Sequence, residues 1–143
     1  MKELDQQRLY HDLAWLWPII SPVQDYIVEA LQFAGLIRQH SRIPVQSLLH
    51  LGCGCGHLDA TLKNYFQVSG VDLSEQMLFL AQELNPEVTY YHGDMRSFDS
   101  GQLYDAVIVA DSIDYMLSET DLQQVFNNAY HHLSTGRCFY HLC

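Results

Sequence analysis

The sequence predicts an α/β fold in which helices flank a mostly parallel sheet of about five strands. Two observations predict it. From Val45 onward, short apolar segments with strand character alternate with helical segments, an order that produces a parallel sheet covered on both faces. A glycine-rich turn from Gly52 to Gly56 joins the first strand directly to a helix, as in sheets that bind ligands at the carboxyl ends of their strands.

Residues 1–44 are predicted to form a helical N-terminal cap. Leucines recur at roughly helical spacing through Lys2–Leu16 until Pro18 interrupts the pattern. Ser21 begins an S-x-x-Q capping box for a second helix, which ends near Gly35. We interpret this cap and the rest of the chain as a single domain of 143 residues, a common domain length.

Residues 45–143 form the α/β core of the prediction. The five predicted strands are Ser47–Leu51, Val68–Asp72, Val88–His92, Tyr104–Ala110 and Arg137–Leu142. The three predicted helices are His57–Phe66, a segment from Ser74 to about Leu84, and a segment from Ser118 to about Leu133. Ser74 and Ser118 stand at helix starts, where a serine hydroxyl accepts hydrogen bonds from free N–H groups.

The composition excludes several classes of partner. Seven Lys and Arg residues against seventeen Asp and Glu residues give a net charge of -10, which disfavours nucleic acids and anionic membranes. No run of about 18 apolar residues predicts a transmembrane span, and the polar N-terminus is unlike a signal peptide. Cys53 and Cys55 are too close together to bridge. We therefore expect a cytoplasmic protein with free thiols.

Acidic side chains follow the predicted strands at the edge where the glycine-rich turn lies. Asp72 ends the second strand, where a carboxylate can accept hydrogen bonds from both hydroxyls of a ribose. Asp94 follows the third strand by two residues and can reach an adenine amino group, with Met95 packing on the ring. These positions predict a site for an adenosine-containing ligand.

The main competing interpretation is a dinucleotide site. The fingerprint G-x-G-x-x-G requires a third glycine where this chain has His57. A cationic ligand also suits the acidic residues near the strand ends better than a pyrophosphate does; these residues are Asp72, Asp94, Asp111 and Asp114. A nicotinamide-dependent oxidoreductase is therefore the weaker alternative.

Four segments resemble the motifs of class I S-adenosylmethionine-dependent methyltransferases: Leu48–His57, Gly70–Leu78, His92–Arg96 and Tyr104–Val107. The resemblance covers about residues 45–137. It implies a Rossmann-like fold, S-adenosylmethionine as cofactor, S-adenosylhomocysteine as product and a small-molecule methyl acceptor. The cofactor-binding residues that it implies are Gly52, Cys53, Gly54, Gly56, Asp72, Leu73, Met77, Asp94, Met95, Ala110 and Asp111.

Further candidate residues come from the cap and from the segment after the fourth strand. The rings of Tyr10 or Trp15 can attract a sulfonium by cation–π interaction worth about 0.5–2 kcal/mol. Where the acceptor must lose a proton, Asp111, Asp114 or Tyr115 are the catalytic candidates. We expect no metal site, because the Cys53, Cys55 and His57 spacing lacks the second pair of ligands of a zinc site.

The chain departs from the family that it resembles at several places, including Cys55, where Thr or Ala is commoner. His50 stands where many members have an acidic residue just before the loop. Ser134 and the two residues after it replace a proline-glycine-glycine turn, and the sequence stops before the usual C-terminal strand pair. The sequence is then either a truncated product or a chain whose sheet is completed by another chain. The alternative function is then a non-catalytic S-adenosylmethionine-binding fragment that forms homodimers through its exposed last strand.

Overall fold

The computed structural model describes residues 8–141, and of Asp111 and residues 135–141 it describes the backbone alone. Five strands form one parallel sheet in the order β3-β2-β1-β4-β5. They are β1 (Ser47–Leu51), β2 (Gln67–Asp72), β3 (Thr89–His92), β4 (Tyr104–Val109) and β5 (Leu133–His141). The predicted fold class is confirmed. The helices are α1 (Trp17–Ile20), α2 (Ile27–His40), α3 (Asp59–Leu62), α4 (Glu75–Leu84) and α5 (Glu119–His131).

The N-terminal segment is less regular than its leucine spacing predicts. Residues 2–7 of the predicted first helix lie outside the described residues. Arg8 and Leu9 are helical, but the chain then forms turns and a 3-10 helix at Ala14–Leu16 before α1. Pro18 is compatible with helix α1. It lies in the first turn of this helix, where its missing N–H costs no hydrogen bond. Ser21 does not cap the next helix; its hydroxyl bonds the Tyr26 hydroxyl at 2.8 Å.

The core elements match the prediction to within one or two residues, except for helix α3 and strand β5. Helix α3 is shorter than the predicted His57–Phe66. Strand β5 begins at Leu133 rather than at Arg137, because Leu133 pairs with Tyr104 of β4 and the Ser134 hydroxyl donates to the Tyr104 carbonyl at 3.0 Å. Leu142, the last residue of the predicted strand, lies outside the described residues.

Two serine caps hold the predicted helix starts. Ser74 accepts a hydrogen bond from the Met77 N–H at 3.1 Å, and Ser118 accepts one from the Asp121 N–H at 3.0 Å. These bonds satisfy N–H groups that have no partner within α4 and α5, and each cap contributes about 1 kcal/mol. They fix where both helices leave the carboxyl edge of the sheet.

Apolar side chains cover both faces of the sheet. On one face the buried cluster joins α2 and α3 to the strands, with Phe33, Ile37 and Leu48 at 0% exposure. On the other face the cluster joins α5 to the strands and includes Leu49 and Val125. Each such side chain contributes about 1.5–3 kcal/mol on burial. Within the part of the chain that the structure describes, no helix combines the length and the apolar character needed to cross a membrane.

Candidate functional site

The glycine-rich loop after β1 is tethered to the end of β2. The N–H groups of Gly52 and Cys53 both donate to the Val71 carbonyl, at 2.7 and 3.0 Å. Gly52 has a φ of 72°, and a Cβ added there would lie 2.8 Å from Cε of Met95 and closer still to the Ser112 hydroxyl. This turn therefore accepts glycine alone, because both the backbone conformation and the space exclude a side chain.

Asp72 joins the same loop from the end of β2. Its Oδ2 accepts the Gly54 N–H at 2.8 Å, and its Oδ1 accepts the Ser74 N–H at 2.9 Å. A carboxylate oxygen has two acceptor sites, so each oxygen of this half-buried group keeps one for a ligand. The loop and the carboxylate predicted to bind one ligand are thus held together by the chain itself.

The loop is not arranged as a phosphate cradle. Besides the bonds to Val71 and Asp72, the Gly56 N–H donates to the Cys53 carbonyl at 3.2 Å. The N–H groups of Gly52, Cys53, Gly54 and Gly56 are therefore all used within the chain. Phosphate sites at a helix start depend on N–H groups that point at the anion, so this arrangement favours a ligand without a pyrophosphate.

Asp94 forms an ion pair with a neighbouring arginine. Arg96 forms a fork on its carboxylate, with Nη2 2.6 Å from Oδ2 and Nε 3.0 Å from Oδ1. Arg96 Nη1 also donates to Asp121 Oδ1 at 2.8 Å. The hydrogen bonds from Arg96 lower the pKa of Asp94. An adenine amino group, the predicted partner of Asp94, would share the carboxylate with this guanidinium.

The N-terminal turn spans the carboxyl edge of the sheet. The Ser74 hydroxyl donates to the Tyr10 carbonyl, while the Tyr10 and Tyr115 hydroxyls share a hydrogen bond and their rings meet edge to face at 5.7 Å. Trp17 packs on the other side of Tyr10 at a centroid distance of 5.7 Å. Burial, helped by the bond to Tyr115, raises the pKa of Tyr10, so that its phenol stays protonated at neutral pH.

The remaining predicted residues differ in exposure. Met77 and Met95 are buried, as is Ala110, whereas Leu73 is 59% and Trp15 60% exposed. Asp114 and Tyr115 are exposed after β4, and the side chain of Asp111 lies outside the description. The structure thus gathers the loop, Asp72 and Tyr10 at one edge but leaves Trp15 facing solvent.

A buried polar network lies against the loop, and sequence reasoning missed it. Nδ1 of His50 is 2.7 Å from Oδ1 of Asp59, and both side chains are at most 2% exposed. The Tyr90 hydroxyl donates to Asp59 Oδ2 at 2.9 Å. Nδ2 of Asn85 donates to the Tyr90 hydroxyl at 3.0 Å and to the Gly56 carbonyl at 2.9 Å. The unusual His50 was the one signal in the sequence that pointed here.

Burial of the two loop thiols favours their protonated form. Burial, with the charges of Asp59 and Asp72 nearby, raises the pKa of Cys53 well above its usual value, and burial raises the pKa of Cys55 to about 12. Among the residues whose positions are described, no three His, Cys, Asp or Glu side chains form a group that could hold a metal ion.

The chain is similar to known methyltransferases. Residues 48–136 match the family described as "Methyltransferase domain". The chain is 35% identical, over 95% of its length, to the dTDP-3-amino-3,4,6-trideoxy-alpha-D-glucopyranose N,N-dimethyltransferase of Streptomyces venezuelae, of which it covers 56%. It is 36% identical, over 79% of its length, to the dTDP-4-amino-2,3,4,6-tetradeoxy-D-glucose N,N-dimethyltransferase of Saccharopolyspora spinosa, of which it covers 46%. The chain thus spans about half the length of these curated relatives.

Solved structures show the same likeness in three dimensions. CalS10, an amino pentose methyltransferase from Micromonospora echinaspora solved with S-adenosylmethionine bound, superimposes with a TM-score of 0.77 at 30% sequence identity. The superposition covers 81% of this chain and 50% of that one.

Proposed function

The chain belongs to the methyltransferase domain family, within the class I S-adenosylmethionine-dependent methyltransferases, and from this we propose that it methylates an amino group of a small-molecule acceptor. The observation that carries the proposal is the hydrogen bond between Asp72 and Gly54, which sets a half-buried carboxylate against the glycine-rich loop. The amino group follows from the two curated relatives, whose names describe N,N-dimethyltransferases of amino sugars. An amino sugar is therefore the first acceptor class to test.

The residues at this edge fit S-adenosylmethionine. Asp72 has acceptor sites left for two ribose hydroxyls, and the exposed Leu73 offers apolar surface directly beside it. The Tyr10 ring lies near Asp72, and together they favour a cationic ligand. When bound, S-adenosylmethionine supplies an electrophilic methyl group on a sulfonium.

The chain's own contribution to transfer is to position the acceptor and take up a proton. An amine attacks in line with the bond that breaks, so the protein must align it and keep its lone pair free. The hydroxyls of Tyr10 and Tyr115, which already bond each other, are placed to hold the acceptor amine. Because the Tyr10 phenol stays protonated, the proton that the amine loses goes elsewhere. Asp111 and Asp114, directly after β4, are our candidates to accept it.

Calorimetry with S-adenosylhomocysteine tests cofactor binding. We expect the purified chain to bind it, and Asp72→Ala to weaken binding at least about fivefold, because two ribose hydrogen bonds of about 0.5–1.5 kcal/mol each are lost. The matched control is Asp25→Ala, an exposed aspartate in the cap. The proposal fails if the unaltered chain gives neither heat nor a shift in melting temperature.

Formation of S-adenosylhomocysteine tests the acceptor. The purified chain, S-adenosylmethionine and an amino sugar should yield this product, and the same sugar with a hydroxyl in place of the amine should not. Equal turnover with both sugars, or turnover with the hydroxyl sugar alone, would contradict N-methylation while leaving methyl transfer intact.

The sequence also suggested two alternative functions, an oxidoreductase and a non-catalytic fragment. A nicotinamide-dependent oxidoreductase is disfavoured, because the chain belongs to the methyltransferase family and the N–H groups of all three loop glycines bond within the chain. The self-associating, non-catalytic fragment stays a prediction: it would bind S-adenosylhomocysteine yet form no product with any acceptor. The cytoplasmic location and the division of one domain at residue 44 also stay predictions.

A further inference from the structure

We propose that His50, Asp59 and Tyr90 are positioning residues that hold the glycine-rich loop in the conformation that binds the cofactor. The inference rests on the proposed function and deepens it. Asp59, the first residue of α3, has a buried carboxylate 2.7 Å from Nδ1 of His50 in β1.

The loop is held from two directions. On the β2 side, Val71 and Asp72 bind the N–H groups of its first half. At its end, the Gly56 carbonyl accepts both the Ala60 N–H at 3.0 Å and Asn85 Nδ2 at 2.9 Å. The second attachment runs through Asn85 to Tyr90 and on to the buried acid, so it depends on the His50–Asp59 pair.

Close packing shows that the loop and the network are fitted to each other. A Cβ at Gly56 would lie 2.6 Å from the Tyr90 hydroxyl and 2.7 Å from Asn85 Nδ2. A Cβ at Gly70 of β2 would lie 2.6 Å from the Tyr90 ring. Since glycines at both positions make room for one tyrosine, a shift of Tyr90 is transmitted directly to the end of the loop.

The chemistry of the pair fixes the roles of its atoms. Asp59 is fully buried, and its two oxygens accept from His50 Nδ1–H and from the Tyr90 hydroxyl. Nε2 of His50 is buried and has no hydrogen-bond partner among the described residues. A neutral imidazole with its proton on Nδ1 satisfies Asp59 without placing an unpaired N–H in the core. Loss of Asp59 leaves Nδ1 of His50 buried without a partner, and loss of His50 leaves Oδ1 of Asp59 buried without one while Oδ2 keeps the Tyr90 hydroxyl.

Two single changes test the network in the ligand-free and ligand-bound chain. Asp59→Asn and Tyr90→Phe should each weaken S-adenosylhomocysteine binding about tenfold in calorimetry, since a broken buried polar contact costs enough for such a factor. Without ligand, both should speed amide hydrogen exchange in the peptide that contains Gly54 and Gly56. Tyr91→Phe is the matched control. Tyr91 is next to Tyr90 in β3 but packs with Phe98 in the apolar cluster on the opposite face of the sheet.

Rescue and a stability control separate positioning from general destabilisation. The exchange His50→Asp with Asp59→His restores an acid–imidazole pair and should bring binding back to within about threefold of the unaltered chain. Ile37→Ala removes a buried side chain of the same apolar face and should lower the melting temperature while leaving binding unchanged.

The outcomes are distinct. Folded Asp59→Asn and Tyr90→Phe chains that bind normally and show unchanged loop exchange would overturn the inference, as would an Ile37→Ala chain that loses as much affinity. Should Asp59→Asn fail to fold, Tyr90→Phe, which keeps the ring in place, decides the matter. Faster amide exchange of the loop in both variants supports the inference, whether or not the unaltered chain binds S-adenosylhomocysteine. Failure of the unaltered chain to bind S-adenosylhomocysteine would refute only the proposed function.

Discussion

Gly52 is the residue at which backbone conformation and the lack of a side chain most directly control the site. Gly52→Ala should abolish S-adenosylhomocysteine binding and lower the free energy of unfolding by more than the about 1–3 kcal/mol of a strained backbone, because the new methyl also meets Ser112 and Met95. Urea unfolding and calorimetry measure the two effects. Gly101→Ala is the control: it has a φ of 71° with open space around its Cβ position, so it should cost only the strain and leave binding intact. Equal losses in the two variants would argue against a close approach at Gly52.

The position of a site candidate could be predicted where one strand end decides it. Asp72 lies against the glycine-rich loop as expected, because it ends the strand beside that loop, whereas its role in binding stays a prediction. Asp59 was missed, because its partners His50 and Tyr90 belong to β1 and β3, and such pairing follows only from the packing of the whole sheet. The ion pair between Asp94 and Arg96 was missed although the two residues are close in sequence. The reason is that Asp121 of α5, which is distant in sequence, also accepts a hydrogen bond from Arg96 and fixes the arginine there.

At the scale of elements, Arg96 clamps the connection after β3 to the start of α5. Hydrogen bonds from Arg96 lower the pKa of Asp94, so the folded state gains stability above the ordinary pKa of an aspartate and loses it as the pH falls through the lowered pKa. Arg96→Gln should therefore lower the melting temperature at pH 7, and the gap to the unaltered chain should close on acidification towards about pH 3.

A surface ion pair supplies the comparison for that experiment. Arg8 and Asp12 also form a pair, but their side chains are 52% and 59% exposed. Arg8→Gln should change the melting temperature far less, because exposed pairs are screened by water and salt. A pH-independent gap for Arg96→Gln would show that the arginine acts by packing and not by charge.

Element boundaries followed the sequence where a local signal marks them. The serine caps before α4 and α5 are visible as single residues, and both were found. The start of β5 was placed too late, because the extra residues are ordered by pairing with Tyr104 of β4, which local sequence does not encode. The capping box at Ser21 was wrong, because its hydroxyl had a tertiary partner in Tyr26.

At the scale of the whole molecule, we predict that the chain associates through the sheet edge at β5. Within the described residues β5 pairs with β4 alone, so its other side presents backbone hydrogen-bonding groups. We expect the purified chain to form dimers, which light scattering after size exclusion would detect as twice the mass of 16.5 kDa. A mass that stays at the monomer value across a hundredfold range of concentration would contradict pairing through this edge.

The central position of β1 in the sheet determines at which stage of folding the site is formed. β1 pairs on one side with β2, which follows it closely, and on the other with β4, where Ser47 and Asp105 in contact are 58 residues apart. Bringing such distant segments together costs loop-closure entropy before any contact rewards it. The carboxyl ends of β1 and β4 therefore lie side by side only once this long-range pairing has formed. A ligand bound at these strand ends would stabilise the finished fold by mass action.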